Sequence, residues 1–301
     1  MKALITGAAG FIGPHLAEAC LNKGWDVWGV DIADFQHGAI AHDFHNPHFT
    51  FQKRDARSIT LEELAGVDYV FHLAFVTNIS YTIKHPVDTA RDNIDMTAYI
   101  TDLAQKAGVK KFLFPSTASA YGHNPTPWTE DMPLYPIEPY SWQKISCEYG
   151  LKTWSACYGL PTAILRLFQV FGENQRWDTV IAVFSKLKKQ GKPVTIMETS
   201  TDSKYRSGQR DFIYVKEVAD AFIRAAESPK TGNGEVFNIA SGRVITIEDL
   251  ARAMGSEVTF IPKRGFEVER HEAANTKAVE LLDWHPKVDV LEWVREYVKT
   301  L

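Results

Sequence analysis

Short runs of β-branched and aromatic residues recur along the chain at 3–6, 27–30, 49–53, 69–73, 111–115, 162–167 and 236–239. Between most of them apolar residues return at three- and four-residue spacing, which predicts helices over 12–23, 61–65, 87–107 and 141–158. Strands that alternate with helices pair in parallel, so the pattern predicts an α/β fold with a doubly wound parallel sheet. From about residue 168 the rhythm loosens. Two irregular stretches, 169–210 and 240–275, flank a helix at 215–228 and the strand near Val236. The expected organisation is a nucleotide-binding domain of residues 1–167 that also receives about 211–239. A smaller C-terminal lobe for substrate would come from 168–210 and 240–301.

Composition narrows the setting. A chain of 301 residues with 45% hydrophobic content can bury an extensive core without metal or disulfide staples. The net charge of −4 offers no electrostatic footprint for nucleic acid or an anionic membrane, so a small solute is the expected partner. Cys20, Cys147 and Cys157 form no CxxC pair or zinc spacing, as fits a reducing compartment. No apolar run approaches the roughly 20 residues that span a bilayer, and the N-terminus lacks a signal-peptide pattern. The cytoplasm is the expected location. His37, His42, His45 and His48 cluster, but Pro47 interrupts any helix there and no carboxylate–histidine motif accompanies them, so no metal is expected.

The first strand runs directly into Thr6-Gly7-Ala8-Ala9-Gly10-Phe11-Ile12-Gly13 and a helix. A GxxGxxG triplet is also compatible with an ordinary turn. Between strand and helix, however, Gly7 suits the tight turn, Gly10 lets a pyrophosphate approach the backbone, and Gly13 lets helix and strand pack closely. That arrangement is Rossmann-type. Asp31 ends the second strand, where a carboxylate can accept hydrogen bonds from an adenosine ribose and repel a 2′-phosphate, which favours NAD over NADP. Pro14 is tolerated in a helix's first turn.

Tyr140-Ser141-Trp142-Gln143-Lys144 puts a phenol and an ammonium one helical turn apart on one face, a spacing suited to base catalysis. Tyrosine titrates near ~10, and a nearby lysine and an oxidised nicotinamide are expected to lower that value. Upstream, FPSTASAYG presents the hydroxyls of Ser116, Thr117 and Ser119.

Together these segments resemble the extended short-chain dehydrogenase/reductase family, particularly its NAD-dependent nucleotide-sugar epimerases and dehydratases. The matching segments run nearly the whole chain: TGAAGFIG, Asp31, KRDAR, HLAF, Asn93, STASAYG, PYSWQK, LRLFQVFGENQ, GQRDFIYVKEVADAF and LLDWHPKVDVLEW. The resemblance implies that Asp55 and Ala56 lie near the adenine, and that Leu73, Ala74, Phe75 and Asn93 join Gly7, Gly10, Phe11, Ile12, Gly13 and Asp31 around the cofactor. It makes Tyr140 the base for a sugar hydroxyl. Lys144 would bind the nicotinamide ribose, and Thr117 would hydrogen-bond the reacting oxygen. Gln169, Arg210 and Arg264 or Arg270 would contact the nucleotide-sugar, arginine's fork being matched to phosphate oxygens.

The resemblance also bears on the reaction. Dehydratases of the family usually carry an Asp-Glu pair after the catalytic threonine, and decarboxylases an acid at the second of those positions; here they are Ala118 and Ser119. A 4-epimerase that passes through a transient 4-keto-sugar and keeps its NAD is the reading left. The alternatives are a dehydratase, decarboxylase or reductase, or a non-catalytic NAD-binding regulator. The chain departs from the family where Gln169 replaces an asparagine and METSTDSKYRSG replaces a short Gly-Asp-Gly turn, both in the expected substrate region. Trp128, Tyr135 and Trp142 suit core packing or an interface better than a sugar pocket. The helices 87–107 and 141–158 match those through which many relatives pair, which implies a homodimer.

Overall fold

The computed structural model describes residues 1–35, 46–263 and 268–301. All seven anticipated runs enter one sheet: β1 (Lys2–Thr6), β2 (Asp26–Asp31), β3 (Phe49–Lys53), β4 (Tyr69–His72), β5 (Lys111–Thr117), β6 (Thr162–Leu167) and β10 (Asn233–Ile239). Their order is β10-β6-β5-β4-β1-β2-β3, and every neighbouring pair is parallel. Because both faces are covered, β4 and β5 are buried along their full length, which is why they read as continuous apolar runs. On one face, Leu16 of α1 (Ile12–Asn22) and Phe222 of α7 (Val215–Glu227) share a core with Ile5, Phe71 and Leu165. On the other, Ile100 of α4 (Met96–Ala107) and Leu151 of α5 (Pro139–Tyr158) share one with Leu4, Val70 and Phe112. The winding direction reverses between β1 and β4, and a crevice opens there at the strands' carboxyl ends.

Three local expectations change. The segment 61–65 is a single 3₁₀ turn, Glu62–Leu64, too short to offset helix nucleation as an α-helix. The stretch 87–107 is not one uniform helix. It begins as α3 (Pro86–Ala90) and passes through a π-helical turn, Arg91–Asp95, before α4. An unforeseen α2 (Ile79–Lys84) precedes it, with Asn78 Oδ1 accepting the Tyr81 N–H.

The larger difference lies after residue 168. The stretches expected to be irregular hold β7 (Gln169–Phe171), α6 (Val180–Lys189), β8 (Val194–Met197), the start of β9 (Gln209–Tyr214), β11 (Val244–Thr246), α8 (Ile247–Ala253) and β12 (Val258–Ile261). α9 (Thr276–Leu282) and α10 (Val290–Val298) follow. β9 pairs with β7 and β11, and β8 with β12, over a separate core that includes Phe171, Phe184, Phe212, Leu250 and Val294. Strands of three or four residues paired across long sequence separations leave too little alternation to be recognised.

Candidate active site

The carboxyl ends of β1, β2, β4, β5 and β6 border one cleft of about 1060 Å³. Its floor is the glycine turn. Gly7 has φ +72°, and a Cβ there would lie 2.6 Å from the Ala74 nitrogen; one at Gly13 would lie 2.4 Å from the Ala8 carbonyl oxygen. Gly10, Phe11, Ile12 and Gly13 line the cleft, and no side chain among the described residues caps the start of α1, so its first-turn amides are open to an anion. Asp31 also lines the cleft. One of its oxygens accepts the Ala9 N–H and the other the Ala33 N–H, each at 2.9 Å, which fixes the carboxylate beside the turn.

Along one wall, Asp55 and Ala56 sit at the head of a 3₁₀ turn; the Arg57 guanidinium, 2.7 Å away, holds the Asp55 carboxyl below its usual range. Leu73, Ala74 and Phe75 continue the wall beyond β4. Asn93, anticipated at the cofactor, does not line the cleft. It is fully buried behind the wall, where Oδ1 accepts the Val76 N–H at 2.7 Å and Nδ2 donates to the Val76 carbonyl at 3.2 Å. Val76, which Asn93 holds, does line the cleft.

Thr117 closes β5, and Tyr140 and Lys144 occupy the first turns of α5. Pro139 begins that helix and the Glu138 carboxylate caps it, accepting the N–H groups of Tyr140 (2.6 Å) and Ser141 (2.9 Å). Thr117, Tyr140 and Lys144 all line the cleft, and the Thr117 hydroxyl accepts the Ser119 N–H at 3.1 Å. Lys144 Nζ donates to the Pro115 carbonyl at 2.7 Å and stands 3.7 Å from the centre of the Phe75 ring. Burial drives the lysine down to about 7. It also drives Tyr140 up to about 12. At the phenol, loss of hydration outweighs the Thr117 and Arg176 contributions that favour phenolate.

Gln169 lines the cleft as expected, but Arg210 does not. Its Nη1 donates to the carbonyls of Gln209 (2.8 Å) and Glu269 (3.1 Å). Arg270 bonds Glu272 and Gln209, while Arg264 lies outside the described residues. The long segment 198–208 folds back on itself and toward Glu269, with no residue in the cleft lining. The cation that does reach the cleft there is Arg176, which sequence reasoning missed. It pairs with Asp178 at 2.5 Å and bonds Thr77, while Asn78 Nδ2 donates to Asp178 at 3.2 Å. The Thr179 cap of α6 was the available signal, since it fixes where the preceding Arg-Trp-Asp loop must end.

Trp128 is fully buried, stacked 5.1 Å from Tyr121 in a core cluster, whereas Tyr135 and Trp142 are exposed. Of the clustered histidines, His48 pairs with exposed Asp26, and His37, His42 and His45 lie outside the described residues.

Residues 3–240 match the model of the NAD dependent epimerase/dehydratase family. A UDP-glucose 4-epimerase from Mycolicibacterium smegmatis is 31% identical, aligned over 99% of this chain and 98% of that protein. Two solved structures superpose with a TM-score of 0.88. One, a UDP-N-acetylglucosamine 4-epimerase from Methanobrevibacter ruminantium in complex with UDP-N-acetylmuramic acid, is 30% identical over 99% of this chain and 97% of its own. The other, a UDP-glucuronic acid 4-epimerase from Bacillus cereus with UDP-glucuronic acid and NAD, is 29% identical over 100% and 99%. With a glycine turn and carboxylate lining the same cleft as Thr117, Tyr140 and Lys144, the chain belongs to the NAD dependent epimerase/dehydratase family.

Proposed function

We propose that the protein is an NAD-dependent 4-epimerase of a UDP-sugar. The observation that carries this reading is that Thr117, Tyr140 and Lys144 share one cleft with the Gly7–Gly13 turn and Asp31. The cleft fits the dinucleotide: α1 offers uncapped amides, Asp31 faces the ribose position, and the buried Ser116 hydroxyl in the wall has no partner among the described residues. NAD held there supplies a hydride acceptor and donor, and a positive charge that favours phenolate. Tyr140 takes the proton from the sugar's C4 hydroxyl and later returns it. Thr117 hydrogen-bonds the reacting oxygen, and Lys144 holds the nicotinamide ribose. The other face of the keto-sugar must then be presented before the hydrogen returns. Gln169 faces the sugar, and the diphosphate is assigned to Arg210, whose guanidinium stands outside the cleft lining on the Gln209 and Glu269 carbonyls.

Ala118 and Ser119, where elimination or decarboxylation would want acids, favour epimerisation over those reactions. We further infer a cytoplasmic homodimer. Its support is apolar surface on the paired helices: Val87 on α3, Tyr99 on α4, and Trp142, Tyr149 and Tyr158 on α5 are all exposed. The substrate lobe is assigned to 168–210 and 240–301, and the NAD domain to 1–167 with about 211–239.

The test is NMR of products after incubation with UDP-glucose, UDP-glucuronate, UDP-N-acetylglucosamine and dTDP-glucose. A pair of C4 epimers without net cofactor change is expected. Accumulated keto-sugar, a decarboxylated product, or stoichiometric NADH consumption would overturn the reading. Tyr140→Phe should abolish turnover while calorimetry still shows NAD binding.

A further inference from the structure

Gln143 stands one residue before Lys144, yet it points away from the cleft and is fully buried. Its amide is oriented by its neighbours. The Thr89 hydroxyl donates to the His85 carbonyl at 2.7 Å, so it can only accept from Gln143 Nε2, at 3.0 Å. Gln143 Oε1 therefore faces Asn93 and accepts from Asn93 Nδ2 at 2.7 Å. That fixes Asn93 as well: its Oδ1 accepts the Val76 N–H, and Nδ2 also donates to the Val76 carbonyl. Both amides are fully committed, and a single orientation of each satisfies every bond.

A second directional chain meets the first at Asn93. Its backbone carbonyl accepts the Thr97 hydroxyl at 2.7 Å, so Thr97 Oγ1 must accept from His72 Nε2, at 3.1 Å. Burial drives His72 down to about 3, so the ring is neutral and its Nδ1 accepts the Thr6 hydroxyl at 2.8 Å. Thr6 Oγ1 in turn accepts the Ala74 N–H at 3.3 Å. The two chains tie the cleft wall at Ala74 and Val76 to the helix that carries Tyr140 and Lys144.

We propose that Gln143, acting through Asn93, is a positioning residue that sets the spacing between the cofactor wall at Val76 and Lys144 on the catalytic helix. The inference rests on the reading of Lys144 as part of the reacting set. In a packed interior the bridge cannot be replaced by water, and an unmade bond inside it leaves a buried polar group unsatisfied. A misplacement of ~1 Å between reacting groups costs on the order of 10²-fold in rate.

The test compares the wild-type protein with the shape-matched variants Gln143→Met and Asn93→Leu, singly and together, with turnover measured on the holoenzyme and NAD affinity by calorimetry, without sugar, on protein stripped of its dinucleotide. Each single variant should lower kcat about tenfold or more, weaken NAD severalfold, shift the pH dependence of kcat, and change the sugar KM little. The double variant should be no worse than the worse single. Thr89→Val, which loosens only the outer end of the bridge, should move the same quantities less, and serves if the others do not fold. Losses that multiply in the double variant, or an unchanged NAD affinity and pH profile per folded molecule, would overturn the proposal. Lys144→Met separates the two readings: normal turnover there defeats the role of Lys144 itself, whatever Gln143 does.

Discussion

Lys144 shows how the chemistry bears on the folded state. Its ordinary value is 10.5, and burial lowers it to about 7 in the ligand-free protein. Between those values the unfolded chain binds the extra proton and the folded chain does not, so this residue makes stability rise with pH from about 7 to 10.5, with its full penalty present below 7. Lys144→Met should therefore raise the melting temperature of ligand-free protein at pH 6–7, with the gap closing toward pH 10. Parallel melting curves for the two proteins across that range would contradict it. Asp31 bears on cofactor choice: calorimetry should show NAD bound at least tenfold more tightly than NADP, since a carboxylate anchored at the end of β2 would repel a 2′-phosphate. Equal affinities would remove that role. The glycines, Asp31, Thr117, Tyr140 and Lys144 were legible because each sits at a fixed offset from a strand or helix end. Arg176 was not, because a tertiary contact to Thr77 brings it to the cleft. Asn93 was placed one layer too far forward, since its helical position alone does not say whether its amide faces the ligand or the wall behind it.

Among the elements, α5 and β6 are joined by an ion pair in which Arg166 and Glu148 are each 1% exposed. Arg166 Nη2 donates to Glu148 Oε2 at 2.7 Å and Nε to Oε1 at 3.0 Å, and Nη1 reaches the Tyr121 hydroxyl. Such a pair is weak evidence for net stability, but losing one member strands the other charge. Arg166→Met should cost about 3–5 kcal/mol in urea unfolding, and adding Glu148→Leu should recover much of it. If the double variant is as unstable as the single, stranded charge is not the cause. The inner strands of the main sheet were legible because burial on both faces writes them as apolar runs, and edge strand β3 because Phe49 and Phe51 alternate with polar residues. Those of the smaller sheets were not: β7 and β11 have three residues apiece and depend on β9 for partners.

At the scale of the molecule, light scattering at micromolar concentration should give the mass of a dimer, and replacing Trp142 and Tyr149 together with glutamate should give a monomer. A monomeric wild-type protein would leave the exposed rings on α5 without that explanation. The cleft has its own consequence. Arg176 and Asp178 from the loop after β7 bond Thr77 and Asn78 from the segment after β4, joining two walls around the ligand space. An enzyme that exchanges its redox partner every cycle would have to undo those ties each time. One that borrows a hydride and gives it back has no such need, and purified protein should carry its dinucleotide through chromatography and work with none added.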